Sequence, residues 1–318
     1  MNELFKYLDD FLAKKSDKKK LVVIYGPTAS GKTAVSIDVA KYLNSEIIST
    51  DSRQIYRFMD VGTGKITQEE TKGIVHHMID IINPNEYYSV GDYNIEANKN
   101  ISDIFDSGKI PVLAGGTGLY IDSLIYDNFT SKAPRDENLR NQLEAERLEF
   151  GNEYIYKKLQ EIDPKYASEL HPNNYMYVMR GIEVKMLTGL SKLDFVTEKS
   201  LAYDVFFINS FSGDNGDIVY DTIRQIFFLN NFKTREDLYK NIDKRVSGMF
   251  ENGLLDEFKG LLEKGYKKED FGLNSIGYRE LFDYIEGKTS LDETIALVQK
   301  NSRNYAKRQL TWMRRYEK

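Results

Sequence analysis

The segment Gly26-Pro27-Thr28-Ala29-Ser30-Gly31-Lys32-Thr33 restricts what this chain can fold into more than any other stretch. It matches the pattern G-x-x-x-x-G-K-T, with an apolar β-branched run before it (21–25) and an amphipathic helical pattern after it (32–43). A glycine loop between a buried strand and a helix turns its backbone N–H groups inward around phosphate oxygens. The helix N-terminus adds its dipole, Lys32 a point charge and Thr33 a hydroxyl suited to Mg²⁺. Residues 26–33 are therefore expected to hold a phosphate-bearing substrate.

The pattern continues as alternating strand and helix. Further strands are expected at 46–49, 77–82, 110–114 and 203–208, and a helix at 90–107. Such alternation implies an α/β fold, a parallel sheet of the P-loop NTPase type covered on both faces. Ligands in these sheets sit at the carboxyl ends of the strands. The glycine turns 26–31 and 115–118 and Asp51 each follow a predicted strand, so they are expected to meet at one edge. From 127 the texture becomes charged and helical, which marks 127–197 as an inserted helical subdomain. The core resumes over 198–318, and from 235 onward it is a helical C-terminal region. Residues 1–20 look like a short amphipathic leader ending in lysines, expected to be solvated. The stretch 209–231 suggests a hairpin extension on the edge of the core.

Composition narrows the chemistry. The chain has no cysteine, which excludes disulfides and thiolate chemistry, and three histidines argue against a His-built metal site. The formal net charge is −5, so charge balance alone does not suggest nucleic acid. No apolar run is long enough to span a membrane and no signal-peptide pattern opens the chain, so a cytoplasmic protein is expected. The strand at 110–114 ends in Gly-Gly-Thr rather than in the acid that NTP-hydrolysing relatives use to hold Mg²⁺. Asp51 instead follows the second strand, where a general base for group transfer would stand.

Several motifs in fixed order extend this reading. They are GPTASGKT (26–33), DSRQIY (51–56), MDVGTGK (59–65), HHMIDIINPNEYYSVGDY (76–93), GGTGLY (115–120), SIGYRE (275–280) and YAKRQLTWMR (305–314). Over about residues 21 to 316 the chain resembles the tRNA dimethylallyltransferases. The resemblance implies transfer of a dimethylallyl group to N6 of adenosine 37, next to the anticodon, in tRNAs reading UNN codons. Dimethylallyl diphosphate would lay its pyrophosphate in the loop 28–33 with Mg²⁺ near Thr33, and Thr28 and Arg245 would act with the general base Asp51. Thr117 would lie near the adenosine. The family's tRNA contacts map to Asp51, Ser52, Arg53 and Gln54, to Arg140, to Met176 and Arg180, and to Asn274, Gly277, Tyr278 and Arg279. Tyr177 departs from this pattern, because the family usually has a basic residue there. His76-His77 also matches the family, and no catalytic role is assigned to it. Asp80 is open between the site and a turn.

The C-terminal helix points the same way. At 100° per residue, Ile295, Val298, Tyr305, Trp312, Met313 and Tyr316 share one face, and Lys300, Arg303, Lys307, Arg314 and Lys318 share the opposite one. Arg308 and Arg315 flank this cationic stripe, which suits an anticodon stem-loop. A monomer is expected. Three alternatives stay open at this point: an adenylate prenyltransferase acting on free AMP, ADP or ATP; a small-molecule kinase; and a non-catalytic RNA-binding module.

Overall fold

The structure, a computed structural model, describes residues 1–127, 136–195, 200–211, 220–229 and 234–318. Along the chain come α1 (Asn2–Ala13), β1 (Lys20–Tyr25), α2 (Lys32–Tyr42), β2 (Ile47–Ser49), β3 (His76–His77), α3 (Val90–Asp106), β4 (Val112–Gly115) and α4 (Gly118–Ile125). Four helices follow: α5 (Glu137–Phe150), α6 (Asn152–Ile162), α7 (Pro164–Ala167) and α8 (Tyr175–Thr188). The chain then runs through β5 (Asp204–Asn209), β6 (Tyr220–Asp221), β7 (Ile226–Phe228), α9 (Arg235–Glu251), α10 (Leu254–Glu263), α11 (Arg279–Ile285) and α12 (Leu291–Met313). The chain divides into two compact units, one of Met1–Tyr126 with Leu201–Lys318 and one of Asp127–Ser200.

The first unit is built on a seven-stranded sheet of order β3-β2-β4-β1-β5-β7-β6, parallel except for the antiparallel β6–β7 pair. The near-continuous apolar composition of β1 reflects burial on both faces. Period-2 alternation sends Leu21, Val23 and Tyr25 to one core, with α3 and α4, and Val22 and Ile24 to the other, with α2. The register pairs Tyr25 with Gly115 and Ser49 with Ala114, which brings the carboxyl ends of β1, β2 and β4 level at one edge.

Two expectations change in this unit, and the hairpin expected at the sheet edge is present as the antiparallel pair β6–β7. The solvated leader is instead the helix α1, whose Leu4, Leu8 and Phe11 are fully buried against Val22, Ile24 and Phe206. Apolar residues at i, i+4 and i+7 make a stripe that covers one face of the sheet. The strand expected at 77–82 is confined to His76–His77, because Met78 (φ 64°) and Asp80 (φ 55°) adopt left-handed backbone that a ladder does not tolerate. The extension after β5 supplies β6 and β7 at the sheet edge, although 212–219 and 230–233 lie outside the described residues. A third core, with Tyr56, Met59, Leu254, Phe258 and Tyr278, seats the segment 55–61 against α10 and α11.

The second unit is helical, as its composition suggests, and ends at Ser200 rather than at 197. Its core is Leu143, Ile155, Leu159, Val178 and Ile182. No helix among the described residues is long and apolar enough to cross a membrane.

Candidate active site

The phosphate loop is built by close approaches that only its sequence permits. Gly31 sits at the head of α2 with φ 84°, a left-handed conformation that favours glycine. A Cβ on Gly26 would lie 1.9 Å from Ser210 Oγ, so the loop could not lie against the end of β5 with any other residue there. Ser30 Oγ donates to the Pro27 carbonyl (2.8 Å) and meets Ser210 Oγ at 2.5 Å. Asn241 Nδ2 donates to the Ala29 carbonyl at 2.6 Å, bracing a residue whose φ is 61°. Lys32 Nζ folds back onto the Pro27 carbonyl at 2.6 Å.

A cavity of about 260 Å³ opens beside this loop, entirely within the first unit. Thr28, Ala29, Lys32 and Thr33 line it from the loop, Asp51, Arg53 and Gln54 from the turn after β2, and Arg245 from α9. Asn274, Gly277 and Arg279 line it as well. Apolar walls come from Ile47, Ile66, Ile79 and Met249. The expected convergence at the sheet edge is therefore present in the geometry. Gly26, Pro27, Ser30 and Gly31 shape the loop from behind without lining the cavity.

Asp51 accepts the Arg53 N–H on Oδ1 at 2.8 Å, a turn that fixes the carboxylate, while Oδ2 takes no hydrogen bond from the described residues. Thr117 is brought to the same place: its N–H donates to the Thr50 carbonyl (3.0 Å) and its Oγ1 accepts from the Ser52 N–H (3.1 Å). Arg245 donates from Nη1 to Thr28 Oγ1 (3.2 Å) and from Nη2 to the Thr63 carbonyl (3.3 Å). A Cβ on Gly64 would lie 1.9 Å from Arg245 Nη2, so that glycine makes room for the guanidinium.

Three charges thus share one cleft. Burial, and next the Arg245 guanidinium, bring the Lys32 ammonium down to about 7, while the Asp51 carboxylate pulls the other way. Burial also lowers Arg245, again against Asp51. A cleft that strains two cations is one that welcomes a polyanion. Among the described residues, no group of three or more His, Cys, Asp or Glu side chains could hold a metal ion. A resident metal cage does not fit. A Mg²⁺ carried in with a diphosphate does fit, since that ion takes phosphate oxygens and water beside one or two protein ligands such as the Thr33 hydroxyl.

Several contributors escaped sequence reasoning. Gln309, buried on the inner face of α12, accepts the Thr28 N–H (2.8 Å) and donates to the Gly116 carbonyl (2.9 Å). It ties the two glycine turns together across a gap of 281 and 193 residues in sequence. The available signal was a lone amide four residues from both Tyr305 and Met313 on an otherwise apolar face. Tyr305 lines the cavity as well. His76 lines it too, whereas His77 pairs with Glu46 (2.8 Å) at the sheet edge. Asp80 is outside the cavity lining: it pairs with Lys65 at 2.5 Å, as Asp60 does.

Some expected nucleic-acid contacts have structural work of their own. In the helical unit, Arg140 donates twice to the fully buried Glu183 (2.9 and 2.8 Å), and Arg180 pairs with the same carboxylate. Met176 and Tyr177 are exposed, and Lys192 Nζ lies 5.3 Å from the Tyr177 ring centre. In the first unit Tyr278 is buried, with its hydroxyl donating to Glu257 at 2.6 Å. On the cationic stripe, Arg303 is paired with Asp243 and Arg315 lies 3.6 Å from Asp122, so these two answer to acids of the protein. Lys300, Lys307 and Arg314 remain exposed.

Known proteins can be set beside this geometry. The model of the family described as IPP transferase matches residues 54–316. A tRNA dimethylallyltransferase of Alkaliphilus oremlandii is 47% identical over 300 residues, which is 94% of this chain and 90% of the relative. The full-length tRNA isopentenylpyrophosphate transferase of Bacillus halodurans superposes with a TM-score of 0.62 at 40% identity, covering 93% of this chain and 87% of the other. A eukaryotic dimethylallyltransferase crystallised while acting on tRNA gives a TM-score of 0.74 at 29% identity, over 93% of this chain and 70% of its own. With the family's model running through most of its length and relatives this similar along nearly all of it, the chain belongs to the IPP transferase family.

Proposed function

We propose that this chain transfers a dimethylallyl group from dimethylallyl diphosphate to N6 of adenosine 37 in tRNAs reading UNN codons, releasing diphosphate. One observation carries the reading: Lys32, Arg245 and the phosphate loop face the same cavity as Asp51, the turn of Asp51 being bonded to Thr117. A free mononucleotide acceptor or a phosphoryl transfer would not call for the helical unit or the cationic stripe, and the relatives named above act on tRNA.

Breaking an allylic C–O bond leaves its electron pair, and so a growing negative charge, on the diphosphate. Lys32, Arg245 and the loop N–H groups stabilise that charge most where it is largest, in the transition state. The exocyclic amine of adenine is a weak nucleophile because its lone pair is shared with the ring. As that nitrogen bonds to the allylic carbon, Asp51 Oδ2 takes its proton, which keeps positive charge off the product. When bound with the donor, Mg²⁺ held by Thr33 would supply further neutralisation of the diphosphate. An adenine stacked in the anticodon loop must be everted to reach the cavity, at the cost of a few kcal/mol of unstacking. Ser52, Arg53, Gln54, Asn274, Gly277 and Arg279 would hold the opened loop, Tyr278 being buried behind them, and Arg140, Met176 and Arg180 of the helical unit would contact the tRNA in their own right. A monomer would suffice, since the phosphate loop, the base and the arginine all come from one chain.

The test is transfer of label from dimethylallyl diphosphate to an unmodified anticodon stem-loop with Mg²⁺. Wild type should label the stem-loop. Asp51→Ala should lose on the order of 10²–10⁴-fold in rate while still binding donor. Faster labelling of free AMP, or turnover of ATP with no labelling, would overturn the assignment.

A further inference from the structure

The loop Met59–Lys65 is as much a part of the donor site as the phosphate loop, because its Thr63 carbonyl receives Arg245 and its Gly64 leaves room for that guanidinium. Nothing in its own backbone explains how it is held there. It makes two local turns, Gly64 N–H to the Val61 carbonyl (3.0 Å) and Lys65 N–H to the Asp60 carbonyl (2.9 Å). These leave the N–H groups of Asp60, Val61 and Gly62 pointing the same way. All three converge on one side chain: Glu257 of α10 accepts from Asp60 and Val61 on Oε2, both at 2.7 Å, and from Gly62 on Oε1 at 3.1 Å. Tyr278 adds its hydroxyl to Oε1 at 2.6 Å. A single carboxylate taking four donors, three of them successive backbone N–H groups, has the form of an anion nest occupied by the protein itself.

We infer that Glu257 is a positioning residue for donor binding: by gathering the N–H groups of 60–62 it fixes the loop whose Thr63 carbonyl aims Arg245 at the diphosphate. The inference rests on the proposed function, which assigns the diphosphate to Arg245. Its physical basis is that an ionised carboxylate only accepts, so each of the four donors is satisfied and none competes. An amide in its place would present an NH₂ group to at least one N–H or hydroxyl donor and push that side of the loop away. The geometry around the nest magnifies any shift. A Cβ on Gly62 would lie 2.5 Å from the Tyr278 ring, and one on Gly64 would lie 1.9 Å from Arg245, so the loop is close-packed on both sides. The Gly64 carbonyl also accepts from Gln54 Nε2 at 3.2 Å, which ties the same loop to the turn of Asp51.

The experiment measures binding of an unreactive thiolodiphosphate analogue of dimethylallyl diphosphate to the full chain. The variants are Glu257→Gln, Glu257→Asp, Arg245→Ala and the pair Glu257→Gln with Arg245→Ala. Misplacing a positioned group by about 1 Å has large effects, so Glu257→Gln should weaken binding by about tenfold. If Glu257 works through Arg245, the pair should bind no worse than Arg245→Ala alone. Glu257→Asp keeps two accepting oxygens and should recover part of the loss, which a general loosening of the fold would not produce. Wild-type affinity in Glu257→Gln, losses that multiply in the pair, or an Asp variant no better than the Gln variant would each overturn the inference. Should Glu257→Gln not fold, the Asp variant and its own pairing with Arg245→Ala decide by the same non-additivity. Failure of the proposed function would look different, because wild type would then label free AMP faster than the stem-loop or transfer no label at all.

Discussion

Lys32 shows how a single side chain ties stability to function. Its ammonium is held down at about 7, by burial first and by Arg245 second. An unfolded lysine titrates near 10.4, so between about pH 7 and that value the unfolded state binds more protons, and stability rises with pH through this window. The destabilisation is therefore fully present below about pH 7. Lys32→Met should raise the melting temperature of the donor-free protein near neutral pH, with a gain that fades toward alkaline pH. A diphosphate donor, if it binds as proposed, would reverse the imbalance by restoring the charge, so its binding above about pH 7 should take up close to one proton. Calorimetry at about pH 8.5 in two buffers of different ionisation enthalpy measures this uptake, and a binding enthalpy independent of buffer would refute it. Lys32 and Asp51 were legible in the sequence because a glycine loop after a strand, and an acid after the next strand, are local spacings. Gln309, Asn241 and Ser210 were not, since each meets the phosphate loop across 180 residues or more. Such partners carry no periodic or spacing signal, and only the folded register of α9, α12 and β5 brings them in.

At the scale of the element, the alternation of strands and helices was readable because β1, β4 and β5 are buried on both faces and so are continuously apolar. The error over 1–20 has the opposite cause. A helix of 12 residues with a narrow apolar stripe and a lysine-rich exit resembles a solvated leader when no partner surface is in view. The partner is the β1 and β5 face of the sheet, where Phe11 meets Phe206 with ring centres 5.4 Å apart. Helix α1 is thus part of the core, and Leu8, fully buried, measures that claim. Leu8→Ala should cost about 2–4 kcal/mol through lost burial and the cavity left behind. It should lower the urea midpoint without changing the slope of the transition. Prenyl transfer below the unfolding range should be unaffected, because Leu8 does not line the cavity. An unchanged midpoint would return residues 1–13 to the status of a detachable leader.

For the whole molecule, the question is how a chain with net charge −5 attracts a polyanion. Screening answers part of it: at physiological salt, charges beyond about 8 Å are largely screened, so the local surface outweighs the total. The local surface also differs from the stripe expected from helical spacing alone. Arg303 is committed to Asp243 and Arg315 lies beside Asp122 and the Trp312 ring, so the helix offers fewer mobile cations than the sequence counts. Lys300, Lys307 and Arg314 remain exposed along α12 and its end. If these three meet phosphates of the stem-loop, replacing all of them with Gln should flatten the plot of log affinity against log salt by about 2, at roughly 0.7 per single-strand phosphate. Arg303→Gln should leave the slope nearly unchanged, because that side chain already neutralises an acid rather than displacing counterions. The comparison separates attraction from packing, since both changes remove cations on or just after one helix but only the second takes a cation from an acid of the protein. Equal slopes for the triple variant and wild type would take the electrostatic contact away from these three and place it on other exposed cations, Arg308 and Lys318 being the next to test.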